Sequence, residues 1–240
     1  MKKYLLALLL CGGAFVFTNG QHISPSYRDA DTSWLEQLLY SGKEWRPRIS
    51  PVTGHEFFLT SDNLEGSVTV DGITFEGLKL KYDIYDDQLI VIWKDIHAIV
   101  LNNSIIDAFS VRTGPGNDPR RSGRNFINLR EDYPAIRGYA EVIYRNKSMV
   151  VATHRKVIAK NVSLSTYAQY RDDSRYWFIS GGKCMPLRNR ASFLSMLGDY
   201  EDEVKRFIRQ NHLVVGNLSP EGYSVAAAFY DSLTSGEAGD

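Results

Sequence analysis

The sequence predicts an α+β domain in which a curved, mostly antiparallel β-meander sheet carries C-terminal helices packed on it. Three observations point there. Between Ser67 and Trp93 the apolar residues fall at every second position: Val68 and Val70, Ile73 and Phe75, Leu78 to Ile84 by twos, then Leu89, Val91 and Trp93. A period of two buries one face and wets the other, as in an antiparallel sheet with a solvated side. Asp71-Gly72 and Gly181-Gly182 punctuate such runs, and both dipeptides suit the paired positive-φ positions of a type I′ hairpin turn. After Asn189 the apolar spacing changes to that of a helix.

Taken in order, the chain opens with Lys2 and Lys3 before an apolar run, Tyr4 to Phe17, that is short for a bilayer span. Thr18-Asn19-Gly20 then supplies small residues at a cleavage point, so residues 1–20 are expected to be a secretory signal peptide and residues 21–240 a single exported domain. Leu10 stands where a lipoprotein signal needs a small residue, so Cys11 is not expected to carry a lipid. Cys184 is then the lone cysteine, and an exported chain without an internal disulfide suits a Gram-negative periplasm or cell surface. The 28 basic and 28 acidic residues balance, and losing Lys2 and Lys3 tips the mature chain only slightly negative. No broad basic field exists for nucleic acid, and no membrane span is expected in the mature chain.

Ser33 to Tyr40 spaces its large apolar residues as one helical stripe, with Asp31 or Thr32 as cap and Gly42 as stop. Residues 43–66 hold Pro47, Pro51 and Gly54 around Phe57-Phe58-Leu59, a connector with one strand at most. After Trp93 the alternation continues through Ile96–Leu101, a tight turn at Asn102-Asn103, and Ile105–Val111. Thr113 to Arg124 is rich in glycine and proline, which exclude helix and strand. Strands follow at Phe126–Leu129, at Tyr139–Tyr144 with Met149–His154, at Lys156–Ala159, and at Tyr176–Ser180 with Lys183–Leu187. Helices are expected at 190–198, 200–211 and 220–233, the second opened by Glu201, Asp202 and Glu203 and closed near Arg209, as the helix dipole favours. The whole amounts to about eight to ten strands, an ordinary sheet size.

Gly54-His55-Glu56-Phe57-Phe58, the segment LKYDIYDDQLIV, Gly138-Tyr139-Ala140-Glu141-Val142, and Arg190-Ala-Ser-Phe-Leu leading into Val204-Lys205-Arg206-Phe207-Ile208 occur in an order that resembles a family of uncharacterised secreted proteins of Bacteroidetes-type bacteria. The resemblance covers roughly residues 45 to 233. It implies a single exported domain and carries no activity, cofactor or catalytic residue with it.

Candidate chemistry is sparse. The histidines at 22, 55, 97, 154 and 212 lack any local metal-binding spacing, and one thiol builds no thiolate site, so no metal or cofactor is implied. Ser180-Gly181-Gly182-Lys183 matches S-x-x-K, but two glycines oppose the helix that motif needs. Cys184 lies in a strand pattern and reads as a small buried hydrophobe. Asp83, Asp86 and Asp87 at a strand corner read as acceptors for turn backbone, and Asp172-Asp173 likewise. The best local candidate is the arginine-rich loop, Arg112, Arg120, Arg121 and Arg124, whose guanidinium groups could fork onto a phosphate, carboxylate or sulfate. Solvation of a long loop is the alternative for those arginines. The 14 tyrosines and 4 tryptophans fill sheet cores or line grooves for sugars and peptides.

These features lead to an exported, non-enzymatic interaction or structural module whose partner is a protein, a glycan or a hydrophobic ligand. The alternative is a periplasmic carrier in which the sheet forms an incomplete barrel and the helices a lid. An envelope hydrolase ranks third, since no nucleophile-base pair can be nominated. A carrier should hold a continuous apolar cavity, and a hydrolase should bring a histidine to a carboxylate and a serine.

Overall fold

The computed structural model describes residues 22–23, 33–48, 51–113, 123–160, 168–216 and 220–236. The expected signal segment, Arg120 and Arg121 lie outside them. In chain order the elements are β1 (His22–Ile23), α1 (Ser33–Tyr40), β2 (Lys43–Glu44), β3 (Val52–Thr53), β4 (Leu64–Val70), β5 (Ile73–Asp83), β6 (Gln88–Trp93) and β7 (His97–Val100). Then come β8 (Ile106–Val111), β9 (Arg124–Asn128), β10 (Tyr139–Arg145), β11 (Met149–Thr153), β12 (Lys156–Lys160), β13 (Ala168–Asp172), β14 (Arg175–Ser180) and β15 (Lys183–Leu187). The chain closes with α2 (Arg190–Leu194), a 3₁₀ turn at Gly198–Tyr200, α3 (Glu201–Gln210) and α4 (Pro220–Gly236). Among the described residues no helix is long and apolar enough to cross a membrane.

The main sheet runs β15-β14-β11-β10-β9-β8-β4-β5-β6-β7-β2, is not closed, and has every pair along this path antiparallel. β1 adds in parallel to the start of β5, on the edge that β6 pairs further along. The periodic stretch forms β4, β5 and β6, joined at Asp71-Gly72, where both residues have positive φ (48° and 77°) as the hairpin dipeptide requires. A second such turn, Lys94-Asp95 with φ of 51° and 61°, joins β6 to β7.

Two departures from a plain meander follow. β8 does not fold back on β7; it crosses to the far edge of β4, because β2 already occupies the outer edge of β7. After β11 the chain leaves the main sheet to form a separate three-stranded sheet, β12-β13-β3, and then returns as β14. The sheet therefore exceeds the expected eight to ten strands. Its extra strands are β1 and β2, and β3 and β13 add to the second sheet; each is too short or too exposed to show an apolar alternation.

Three apolar clusters fill the fold. The first lies on β4 to β9 and centres on aromatic rings, with Phe109 and Phe126 stacked at 4.5 Å and Tyr82 edge-on to both. The second is shared between strands and helices: Val150 and Phe178 meet Phe193, Val204, Ile208, Tyr223 and Ala226, all 0–1% exposed. On the opposite face of those strands Val151 and Ile179 pack under Leu129 and Ile136. That half of the sheet is covered on both faces, which is why Met149 to Ala152 is a continuous apolar run rather than an alternation. The helices are seated by specific ties. Asn189 and Ser192 form a reciprocal cap for α2, Phe207 and Phe229 stack at 4.0 Å between α3 and α4, and Asp231 of α4 accepts hydrogen bonds from Tyr144 Oη and the Ser148 N–H.

Candidate functional site

Strand register assembles a continuous polar cluster. Glu141 of β10 pairs with Phe126 of β9 on one side and with Ala152 of β11 on the other. Residues two positions along a strand share a face, so Arg124 and His154 fall beside Glu141 on neighbouring strands. Thr153 pairs with Arg175, which brings the adjoining Ser174 up to His154. The resulting chain is continuous. Arg124 Nη1 donates to Glu141 Oε1 at 2.5 Å, His154 Nε2 lies 2.6 Å from Glu141 Oε2, and His154 Nδ1 lies 3.1 Å from Ser174 Oγ. Glu141 is 2% exposed. Burial alone would raise its pKa; the hydrogen bonds and charges of His154 and Arg124 outweigh that and hold it below the usual carboxylate value. The His154 ring is fixed from above by Phe58, 4.7 Å between centroids.

These groups line an open cleft of about 370 Å³ that Lys156, Asp172 and Tyr176 complete. Lys156 Nζ is tied to the carbonyls of His55 (2.7 Å) and Phe57 (2.8 Å), and burial lowers its pKa. Phe57 and Phe58 are consecutive in an extended connector, so their rings point to opposite sides. Phe58 enters the cleft just described, while Phe57 packs at 5.6 Å against Trp45, which lines a second, larger cleft.

The second cleft holds about 610 Å³ and lies between β2, the end of β5 and the start of β6. Asp83, 2% exposed, accepts the N–H groups of Tyr85 (2.9 Å) and Asp86 (3.0 Å) through one oxygen. Its burial pushes its pKa up to about 6, against the lowering by those two N–H bonds. Asp86 pairs with Arg48, whose guanidinium also lies 4.7 Å over the Tyr85 ring. Asp87 belongs to a different network: it accepts from Tyr82 Oη at 2.8 Å and from Arg130, close beneath Gly138. The aspartates of this corner thus do bind turn backbone and neighbouring side chains.

The chain was set beside known protein families, curated proteins and solved structures. It matches none of them.

Of the arginines singled out in the sequence, Arg112 sits 3.7 Å from Glu65 with both side chains mostly exposed. Arg124 pairs in the ladder with Val111, so Arg112, one residue on, projects from the other face. The structure therefore separates the two ends of the loop and gives Arg124 to Glu141. Among the described residues no cluster of three or more His, Cys, Asp or Glu could hold a metal ion. Cys184 packs into the cluster around Ile179, and burial raises its thiol pKa. Ser180 and Lys183 are a ladder pair across a hairpin, not a helical turn. Sequence reasoning missed Glu141, His154 and Ser174. The one signal was a carboxylate inside the apolar strand Tyr139–Tyr144; its partners sit on strands whose register no local pattern announces.

Proposed function

We propose that the chain is an exported, non-enzymatic interaction module of a bacterial envelope, and that it presents its two polar clefts to a partner. One observation carries this reading: several charged groups at the heart of the clefts are already paired by this chain itself. Arg124 and His154 share Glu141, Lys156 is held by carbonyls, and Arg48 is held by Asp86. Such side chains are preorganised, which lowers the entropic cost of binding. The clefts are open and polar, and the space beneath the helices is filled by buried side chains rather than left for a hydrophobic cargo.

Site-specific photocrosslinking in the protein's own envelope tests the proposal. A benzophenone residue at Gln88 or Tyr176, one in each cleft, should yield an adduct, while the same residue at exposed Asp202 of α3 should not. Adducts from neither cleft position contradict the reading.

A second reading has one observation in its favour. His154 bridges Glu141 and Ser174, the arrangement required of a hydrolase, in which the serine attacks and the histidine takes its proton. Against it, Arg124 neutralises the carboxylate that would otherwise stabilise an imidazolium, and Lys156 is engaged with carbonyls rather than free for an oxyanion. A fluorophosphonate that labels Ser174 in the native protein, and not in His154→Gln, establishes the hydrolase; an unlabelled Ser174 removes it.

A further inference from the structure

We propose that the cleft beside Trp45 is a carbohydrate site that takes a neutral, hydroxyl-rich sugar chain; this rests on the interaction-module reading and names its ligand class. Four features of the cleft converge on that chemistry.

The first is an aromatic platform. Trp45 is half-buried, its ring backed by Phe57 at an interplanar angle of 54°, and its backbone N–H donates to the Ala98 carbonyl at 2.7 Å, which holds the main chain that carries the ring. An indole so fixed offers a flat apolar surface beside polar walls, which suits the C–H face of a pyranose. The second is the mixture of polar groups around it. Glu56, Asp83 and Asp86 accept, Arg48 donates, and Gln88 does both. A sugar hydroxyl donates once and accepts twice, so only a wall offering both kinds of partner satisfies a row of hydroxyls.

Charge supplies the third argument. Three basic side chains oppose four carboxylates along the cleft, so the charges nearly cancel and no strong field gathers an anion or a cation. A phosphate or sulfate would meet the carboxylates, and an ammonium group the guanidinium groups. The fourth is fixity combined with shape. Arg48 is held by Asp86 and by the Tyr85 ring, and Asp83 by two backbone N–H groups, so few rotamers are lost when a ligand arrives. The volume of about 610 Å³ lies within the roughly 300–1,000 Å³ of small-ligand clefts. An open trough accommodates a chain that passes through it better than a small molecule that must be enclosed.

Calorimetric titration of the full mature chain tests this, with xylo-, cello-, malto- and manno-oligosaccharides as ligands. Oligogalacturonate and inorganic phosphate serve as charged controls. At least one neutral series should bind, equally at low and high salt, because no ion pair is formed with the ligand. Trp45→Ala should weaken that binding about tenfold or more, as loss of an aromatic anchor does. Since Trp45 also packs on Phe57, Gln88→Ala provides a second variant that leaves this contact intact and should weaken binding about threefold to tenfold. Failure of every neutral series, binding confined to the charged controls, or affinities unchanged in both variants overturns the proposal. Crosslinking from Tyr176 in the other cleft reports on the module reading separately, so the two failures are distinguishable.

Discussion

Asp83 and Glu141 are both 2% exposed, yet burial has opposite consequences for their protons. Glu141 has a folded pKa below its ordinary 4.5, since His154 and Arg124 outweigh its desolvation. Its contribution is therefore complete above the unfolded pKa and is lost as pH falls through the folded value. Glu141→Gln should cost about 2–4 kcal/mol at pH 7, discounted because Arg124 is partly exposed, and the cost should shrink below pH 4.5 in urea unfolding. Asp83 is the reverse case, raised by burial from 3.8 to about 6. Its contribution is complete below the unfolded pKa and is lost as pH rises through the folded one. Asp83→Asn keeps an acceptor for the Tyr85 and Asp86 N–H groups without the charge. It should stabilise the fold by about 1–3 kcal/mol at pH 8 and by nothing at pH 3, again by urea unfolding. Gly72 has a φ of 77° with open space where a Cβ would stand, so its constraint is conformational. Gly72→Val should cost about 1–2 kcal/mol through the left-handed backbone alone; equal thermal stability would contradict the turn.

At the scale of elements, α4 is tied to the β10–β11 hairpin by Asp231, which is 2% exposed and accepts from Tyr144 Oη at 2.9 Å and the Ser148 N–H at 3.0 Å. Burial and that bond push the Tyr144 pKa up to about 12. Asp231→Ala should cost about 2–3 kcal/mol, since both donors lose a charged acceptor. Hydrogen exchange should then quicken across residues 220–236 while β4 to β6 keep their protection; equal loss in both places would mean that the helix is not separately anchored. Elements with a buried face were legible beforehand. The period of two located β4, β5 and β6, the glycine dipeptides located two hairpins, and the acids of Glu201–Glu203 located the start of α3. β13 was not legible, because Ala168–Asp172 is mostly exposed and a strand that buries little has no reason to alternate. The crossing from β7 to β8 was not legible either, since it depends on β2, two residues long, taking an edge from a distance. The candidate site shared that fate. Glu141, His154, Ser174 and Trp45 acquire their neighbours only through pairings remote in sequence, and the carboxylate inside an apolar strand was the one signal not used.

For the whole molecule, the decisive feature is that the C-terminal helices lie directly on the strands. Phe193, Tyr223 and Phe178 interlock edge to face at 5.2–5.6 Å, and each is fully buried. A lid over a ligand chamber would leave such rings apart; here they meet, and none of them lines either polar cleft, although Pro220 and Glu221 at the start of α4 border the smaller one. An open sheet whose second half is covered on both faces is a rigid frame of the kind that the proposed surface recognition requires. Native mass spectrometry of the protein purified from its native host, followed by organic extraction, tests that account most directly. The account predicts a chain beginning at Gln21, free of stoichiometric lipid, with a melting temperature unchanged across a panel of lipids. A lipid retained at one per chain would contradict it and make the helices the lid of a carrier.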